Sequence, residues 1–219
     1  MTHQAEEGLV LTSMEMNLCI RMLGGRIGRE FPVFASERSV EEQMMNAFLR
    51  LTQSALVEAG PEGFRCSERM KALLAPVARP DRRIIAARSQ EESLQVFQRD
   101  RERVLLEQVR TEGQSFRVLP VAEQALSELL PEEPAPPRTP LTPPEERFSL
   151  RSLPQRMLGQ SLLLLEVRDY VPERRRRMFR VFRDGGTLWL SRLGESGGEV
   201  FPYTRDTLRQ KLSERERTG

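Results

Sequence analysis

The sequence predicts an α+β fold, a pseudo-twofold repeat of antiparallel sheet-plus-helix units with an N-terminal helical portion. The first observation behind this is a weak internal repeat. Val96-Phe97-Gln98-Arg99-Asp100, followed by Val104-Leu105-Leu106, is echoed by Val181-Phe182-Arg183-Asp184-Gly185-Gly186, followed by Leu188-Trp189-Leu190. Each copy runs through a glycine-containing turn (Gly113 in one; Gly194, Gly197 and Gly198 in the other) into a further extended segment, 115–119 or 200–203. Each ends in a helix-like stretch, marked by Ala125 and Leu129 or by Leu208 and Leu212. A strand–turn–strand–turn–strand–helix unit used twice makes two similar halves. The second observation is a pair of capping boxes ahead of the first copy, which place helices there.

The elements follow in order. Gly8-Leu9-Val10-Leu11 reads as a short strand. Thr12, with Glu15 three residues on, caps a helix whose stripe is Met14, Leu18 and Met22 and which Gly24-Gly25 ends. Ser39 with Glu42 opens a longer helix, in which Met44, Met45, Phe48, Leu51, Ala55 and Leu56 recur at helical spacing until Gly60-Pro61. Phe64-Arg65-Cys66 is extended, and Ser67 caps a third helix carrying Met70, Leu73, Leu74 and Val77. Residues 83–87 and 94–98 read as strands, and 104–109 pairs back on the latter across an Asp100-Arg101-Glu102 turn. A helix over 121–130 closes this half. Residues 162–168, 178–182, 188–193 and 199–203 are the strands of the second half, followed by a helix over 205–213.

The domain division follows from composition. Residues 1–130 form the N-terminal half and 148–219 the C-terminal sheet-helix unit. Residues 131–147 are a linker, because seven prolines fall within the fourteen residues from Pro131 to Pro144 and stiffen them towards polyproline II.

Composition excludes more than it assigns. The chain of 219 residues is 38% hydrophobic and 30% charged, with a formal net charge of +2, too small to argue for nucleic acid. Lys71 and Lys211 are the only lysines, so arginine supplies nearly all the positive charge. Two readings fit that bias: bidentate recognition of phosphate or carboxylate, or codon usage. The only histidine is His3, which removes the commonest general base and metal ligand from the body of the chain. Cys19 and Cys66 are too few and too far apart for a zinc site or a disulfide framework, and read as small buried residues. Phosphate-loop and dinucleotide glycine motifs are missing. No catalysis, cofactor or metal is therefore expected. With no signal-peptide pattern and no apolar run long enough for membrane insertion, a cytoplasmic protein is expected.

The sharpest local feature is Pro172-Glu173-Arg174-Arg175-Arg176-Arg177, read as lying between two strands. Four consecutive arginines suit a phosphate, an acidic partner or a membrane surface. Asp169 and Glu173 partly neutralise the run, and a solvated hairpin turn is the preferred reading. Tyr170 beside it is a candidate exposed contact, whereas Trp189, between Leu188 and Leu190, belongs to core or half-buried sheet.

The order of elements resembles the EspG family, cytosolic chaperones of type VII (ESX) secretion. The residues that carry the resemblance are Leu9-Val10-Leu11-Thr12 leading into an amphipathic helix, and Ser36-Glu37-Arg38 ahead of a long helix. A short helix over 67–74 and the step Pro80-Asp81-Arg82 before the first sheet strand complete it. The chain departs from that family in being shorter, in its Pro-rich linker and in showing no long hairpin insertion, which in the family helps hold the cargo. The resemblance implies a non-catalytic chaperone that masks the apolar tip of a small helical secreted protein of WXG or LXG type. Arg101, Tyr170, Arg174 and Arg176 are the expected partner-binding residues. The alternative is a winged-helix DNA-binding regulator. Against it, the second helix holds a single base, Arg50, and begins with Glu41-Glu42.

Overall fold

The computed structural model describes residues 8–25, 39–61, 63–87, 93–111, 113–120, 130–132, 146–149, 159–171, 174–184, 186–194 and 197–213. It is a mixed α/β chain with twelve strands and four helices among these residues. The chain divides into two compact units. The first comprises residues 1–83 and 94–122, the second 84–93 and 123–219. The expected helix over 121–130 and most of the Pro-rich linker lie outside the described residues.

In the first unit, β1 (Leu9–Thr12) leads directly into α1 (Ser13–Met22). The expected capping box is formed: Thr12 N donates to Glu15 Oε2 at 2.7 Å, and Glu15 N donates to Thr12 Oγ1 at 3.2 Å. The buried side of α1 is Met16, Cys19 and Ile20, while Met14, Leu18 and Met22 are half-buried at its flank. Gly24, at φ +69°, and Gly25, packed against the Ala78 backbone, end the helix where a side chain would be strained or would collide.

A second capping box, Ser39 with Glu42, opens α2 (Val40–Gln53). The helix stops at Gln53, short of the expected Gly60, and Val57–Gly60 is instead β2, hairpinned with β3 (Gly63–Cys66). Ala55, at φ +53°, turns the chain between helix and strand. Ser67 caps α3 (Glu68–Ala78), accepting from Met70 N at 3.4 Å.

The sheet of this unit runs β1-β7-β6-β5, every pair antiparallel, with β5 Ser93–Arg99, β6 Glu102–Thr111 and β7 Gly113–Pro120. Strand alternation puts Leu11, Phe116, Val118, Leu106, Val104 and Phe97 on one face. That face packs with Met16, Cys19 and Ile20 of α1 and Met70, Leu74 and Val77 of α3 to form the core.

The second unit has the strand order β4-β9-β10-β11-β12-β8. Its strands are β4 Arg82–Ala87 (from Ile84 on within this unit), β8 Glu146–Ser149, β9 Gln160–Asp169, β10 Arg175–Asp184, β11 Thr187–Leu193 and β12 Gly197–Pro202. Each pair from β9 through β8 is antiparallel. One face carries Leu163, Leu165, Val167, Phe179, Val181, Leu188, Leu190 and Phe201, covered by Leu208 and Leu212 of α4 (Arg205–Ser213). On the other face Phe182 and Val200, with Trp189 and Leu193 half-buried beside them, form a smaller cluster.

Two local expectations change. The linker's last two residues, Glu146 and Arg147, are already in β8. Arg175–Arg177 are not in the turn but begin β10, because β9 and β10 pair out to Asp169↔Arg175. Alternation then sends Arg176 outward and Arg177 inward. Arg177 is buried, donating to Asp169 Oδ2 at 2.9 Å and to the Lys211 carbonyl at 3.2 Å.

Candidate functional site: the open face of the β9–β10 hairpin

The sequence residues Leu162-Leu163-Leu164-Leu165-Glu166-Val167-Arg168 form a strand with one side in the core. Leu163, Leu165 and Val167 are buried and Leu162 packs against their cluster where the register shifts, whereas Leu164, Glu166 and Arg168 point away from it. The register sets Leu164 opposite Arg180, Glu166 opposite Met178 and Arg168 opposite Arg176. Leu164 is 43% exposed, and Val171, just past the strand, is 59% exposed. This face is therefore neither a sealed core nor a polar sheet surface.

Its electrostatics follow from one carboxylate serving two guanidiniums. Arg168 and Arg176 stand directly opposite each other, a like-charge pair that destabilises a sheet unless something lies between. Glu166 supplies it: its Oε1 accepts from Arg168 Nε at 2.6 Å and from Arg176 Nε at 2.7 Å. Partial burial opposes ionisation of Glu166, but the hydrogen bonds and charges of Arg168 and then Arg176 outweigh it and hold the carboxyl below its ordinary range. Two guanidiniums thus converge on one carboxylate, and Arg174 is exposed on the same hairpin. Arg180 donates to the Gly159 carbonyl at 2.6 Å and lies over the Phe182 ring, 5.2 Å from its centroid. Its head is thus held over the strands beside Leu164.

Of the residues expected to bind a partner, Tyr170, Arg174 and Arg176 belong to this hairpin. Arg174 and Arg176 are exposed, and Tyr170 is half-buried rather than fully exposed. Arg101 belongs to the other unit. It is exposed in the β5–β6 turn, where Asp100, at φ +53°, donates its N–H to Asp81 Oδ2 at 2.7 Å. Leu164, Glu166, Arg168 and Met178 escape a reading centred on the arginine run. Their sequence signal is confined to the alternation Leu165-Glu166-Val167-Arg168, since the four leucines at 162–165 do not distinguish a core side from an outward one.

A second exposed apolar group lies in the first unit. Val40, Met44, Met45 and Leu49 of α2 and Phe64 of β3 are exposed, whereas Phe48, at the same helical spacing, packs partly on the core. Only Ala47 and Leu51 of α2 are buried. Phe48 meets Phe64 edge to face, with ring centroids 4.6 Å apart.

No protein-family model matches the chain, and no curated protein does. Among solved structures, the fold matches that of EspG5, a type VII secretion system chaperone of Mycobacterium tuberculosis, determined in complex with a PE25–PPE41 dimer. The match covers 92% of this chain and 93% of that one, with a TM-score of 0.54 and 11% sequence identity. At that identity the likeness is one of fold. It extends through both units, and the chain has the fold of an EspG-type secretion chaperone, as the order of its sequence elements implied.

Proposed function

We propose that this chain is a cytoplasmic, non-catalytic binding protein that covers an apolar helical segment of a secreted bacterial protein. Likeness of fold to a secretion chaperone over 92% of the chain is the observation that carries this reading. The β9–β10 face supplies a surface suited to the task. Leu164 and Val171 offer apolar contact, and the arginines around them can lay their stems over it while their heads reach carboxylates. The partner is a small helical protein of WXG or LXG type with an apolar tip flanked by acidic residues. Binding proceeds by shape-complementary burial with a polar rim, without turnover. The three-stranded meanders β5–β7 and β10–β12 belong to the same proposal as two copies of one gripping unit.

Co-expression with small helical proteins encoded beside the chain, followed by size-exclusion chromatography, tests the reading. A neighbour should co-elute, and Leu164→Glu with Arg176→Glu should release it. Tyr170→Ala with Arg174→Ala should weaken it. If no neighbour co-elutes and neither variant changes any interaction, the reading fails. The DNA-binding alternative is not favoured, since the only base of α2, Arg50, is paired with Glu15. Submicromolar binding to random duplex DNA that falls steeply with salt would restore it.

A further inference from the structure

On α2 the apolar residues Met44, Met45 and Leu49 are exposed among polar ones, and Glu41 and Glu42 stand in its first turn. At 3.6 residues per turn, positions 44, 48, 45 and 49 follow one another round about 140° of the helix, with Phe48 partly packed on the core and Val40 on the side opposite Leu49. Phe64 of the β2–β3 hairpin adds a second wall through its contact with Phe48. Contiguous apolar surface of this kind, two of its members flexible methionines, is the form taken by adaptable protein-binding sites. Thr52 does not break the face, because its hydroxyl is consumed by the carbonyls of Phe48 and Leu49 at 3.0 and 2.9 Å.

Charge decides which partner fits. Glu41 and Glu42 are exposed in the first turn, Glu42 also accepting from Ser39 N at 3.0 Å through Oε2, and the one cation of α2, Arg50, is bonded to Glu15 of α1 at 3.2 Å. A second copy of α2 laid on this stripe would therefore bring no unengaged cation of its own to the two glutamates. From this we infer that the α2 stripe and Phe64 form a docking surface for an amphipathic helix with an apolar face and a Lys or Arg cluster at one end. The helix lies in the angle between α2 and the hairpin, its apolar residues on Met44, Met45, Leu49 and Phe64 and its cations at Glu41 and Glu42. These residues belong to the first unit and those of the β9–β10 face to the second, so the inference stands or falls independently of the function proposed above.

The test uses the full chain and two labelled model peptides that share one Leu/Ala apolar face. One carries Lys and Arg on its polar side, the other Glu, and binding is read by fluorescence anisotropy at fixed ionic strength. The basic peptide should bind at least about tenfold more tightly than the acidic one. Met45→Lys with Leu49→Lys should abolish that preference, Phe64→Ser should weaken binding, and Glu41→Lys should erase the charge preference. Leu164→Glu with Arg176→Glu should leave it unchanged, which separates this surface from the hairpin. Equal affinity for both peptides, or binding indifferent to the Met45/Leu49 and Phe64 variants, overturns the inference. So does concentration-dependent dimerisation in sedimentation that the Met45/Leu49 variant abolishes, because the occupant would then be a second copy.

Discussion

Arg50 of α2 turns onto Glu15 of α1, its Nε 3.2 Å from Oε1, although Arg50 remains largely exposed and Glu15 is buried. The same carboxylate caps its own helix, accepting from Thr12 N and from Thr12 Oγ1. Glu15 therefore ties together β1, α1 and α2, and its buried charge is satisfied on three sides.

Removing Glu15 should cost more than removing an ordinary cap. Ser39→Ala, which loses only the exposed capping box of α2, should destabilise by about 1 kcal/mol. Glu15→Ala loses the cap, the hydroxyl bond and the Arg50 contact together, and should cost roughly 2–3 kcal/mol. Urea unfolding at constant m-value measures both. Equal midpoints for the two variants would mean that the buried position of Glu15 adds nothing.

The Glu166 carboxyl titrates below its ordinary range in the folded chain, so the unfolded chain binds its proton more readily. The stabilisation is fully present above the ordinary carboxylate range and is lost as pH falls through the folded value. Solvent access limits it to about 1 kcal/mol or less. Glu166→Gln should therefore be less stable than the parent near neutrality and match it in acid, with the difference shrinking at high salt. Denaturant midpoints across pH check this, and a pH-independent difference would assign the loss to packing.

Cys19 and Cys66 bring α1 and β3 together: both are buried, and Cys66 Sγ lies 3.8 Å from the Cys19 carbonyl. A side-chain hydrogen bond with Cys66, then burial, pushes the Cys19 thiol up, which keeps it protonated and unreactive. Iodoacetamide should leave Cys19 unmodified in the native chain at mildly alkaline pH and modify both cysteines in denaturant. Stoichiometric native labelling of Cys19 within minutes would show that the α1–β3 contact opens readily.

Much of the element order was legible because its signals act over three or four residues. Thr12/Glu15, Ser39/Glu42 and Ser67 each begin a helix in the structure, and the Asp100-Arg101 turn joins two strands. These are bonds between near neighbours that no distant contact has to complete. The candidate site was legible only in part. Arg174 and Arg176 were singled out, but Glu166, which holds Arg168 and Arg176, lies on the preceding strand.

What the sequence determined by itself is therefore where most elements begin and which period each follows. The tertiary structure decided which side of each element is covered. Met44 and Met45 have the spacing of core residues, yet only Ala47 and Leu51 of α2 are buried. Arg176 and Arg177 are chemically identical neighbours, but one meets solvent and the other is enclosed with Asp169 and the end of α4. Periodicity records that an element has two sides. Burial depends on which distant segment arrives to cover one of them, and that is settled only when the chain has folded.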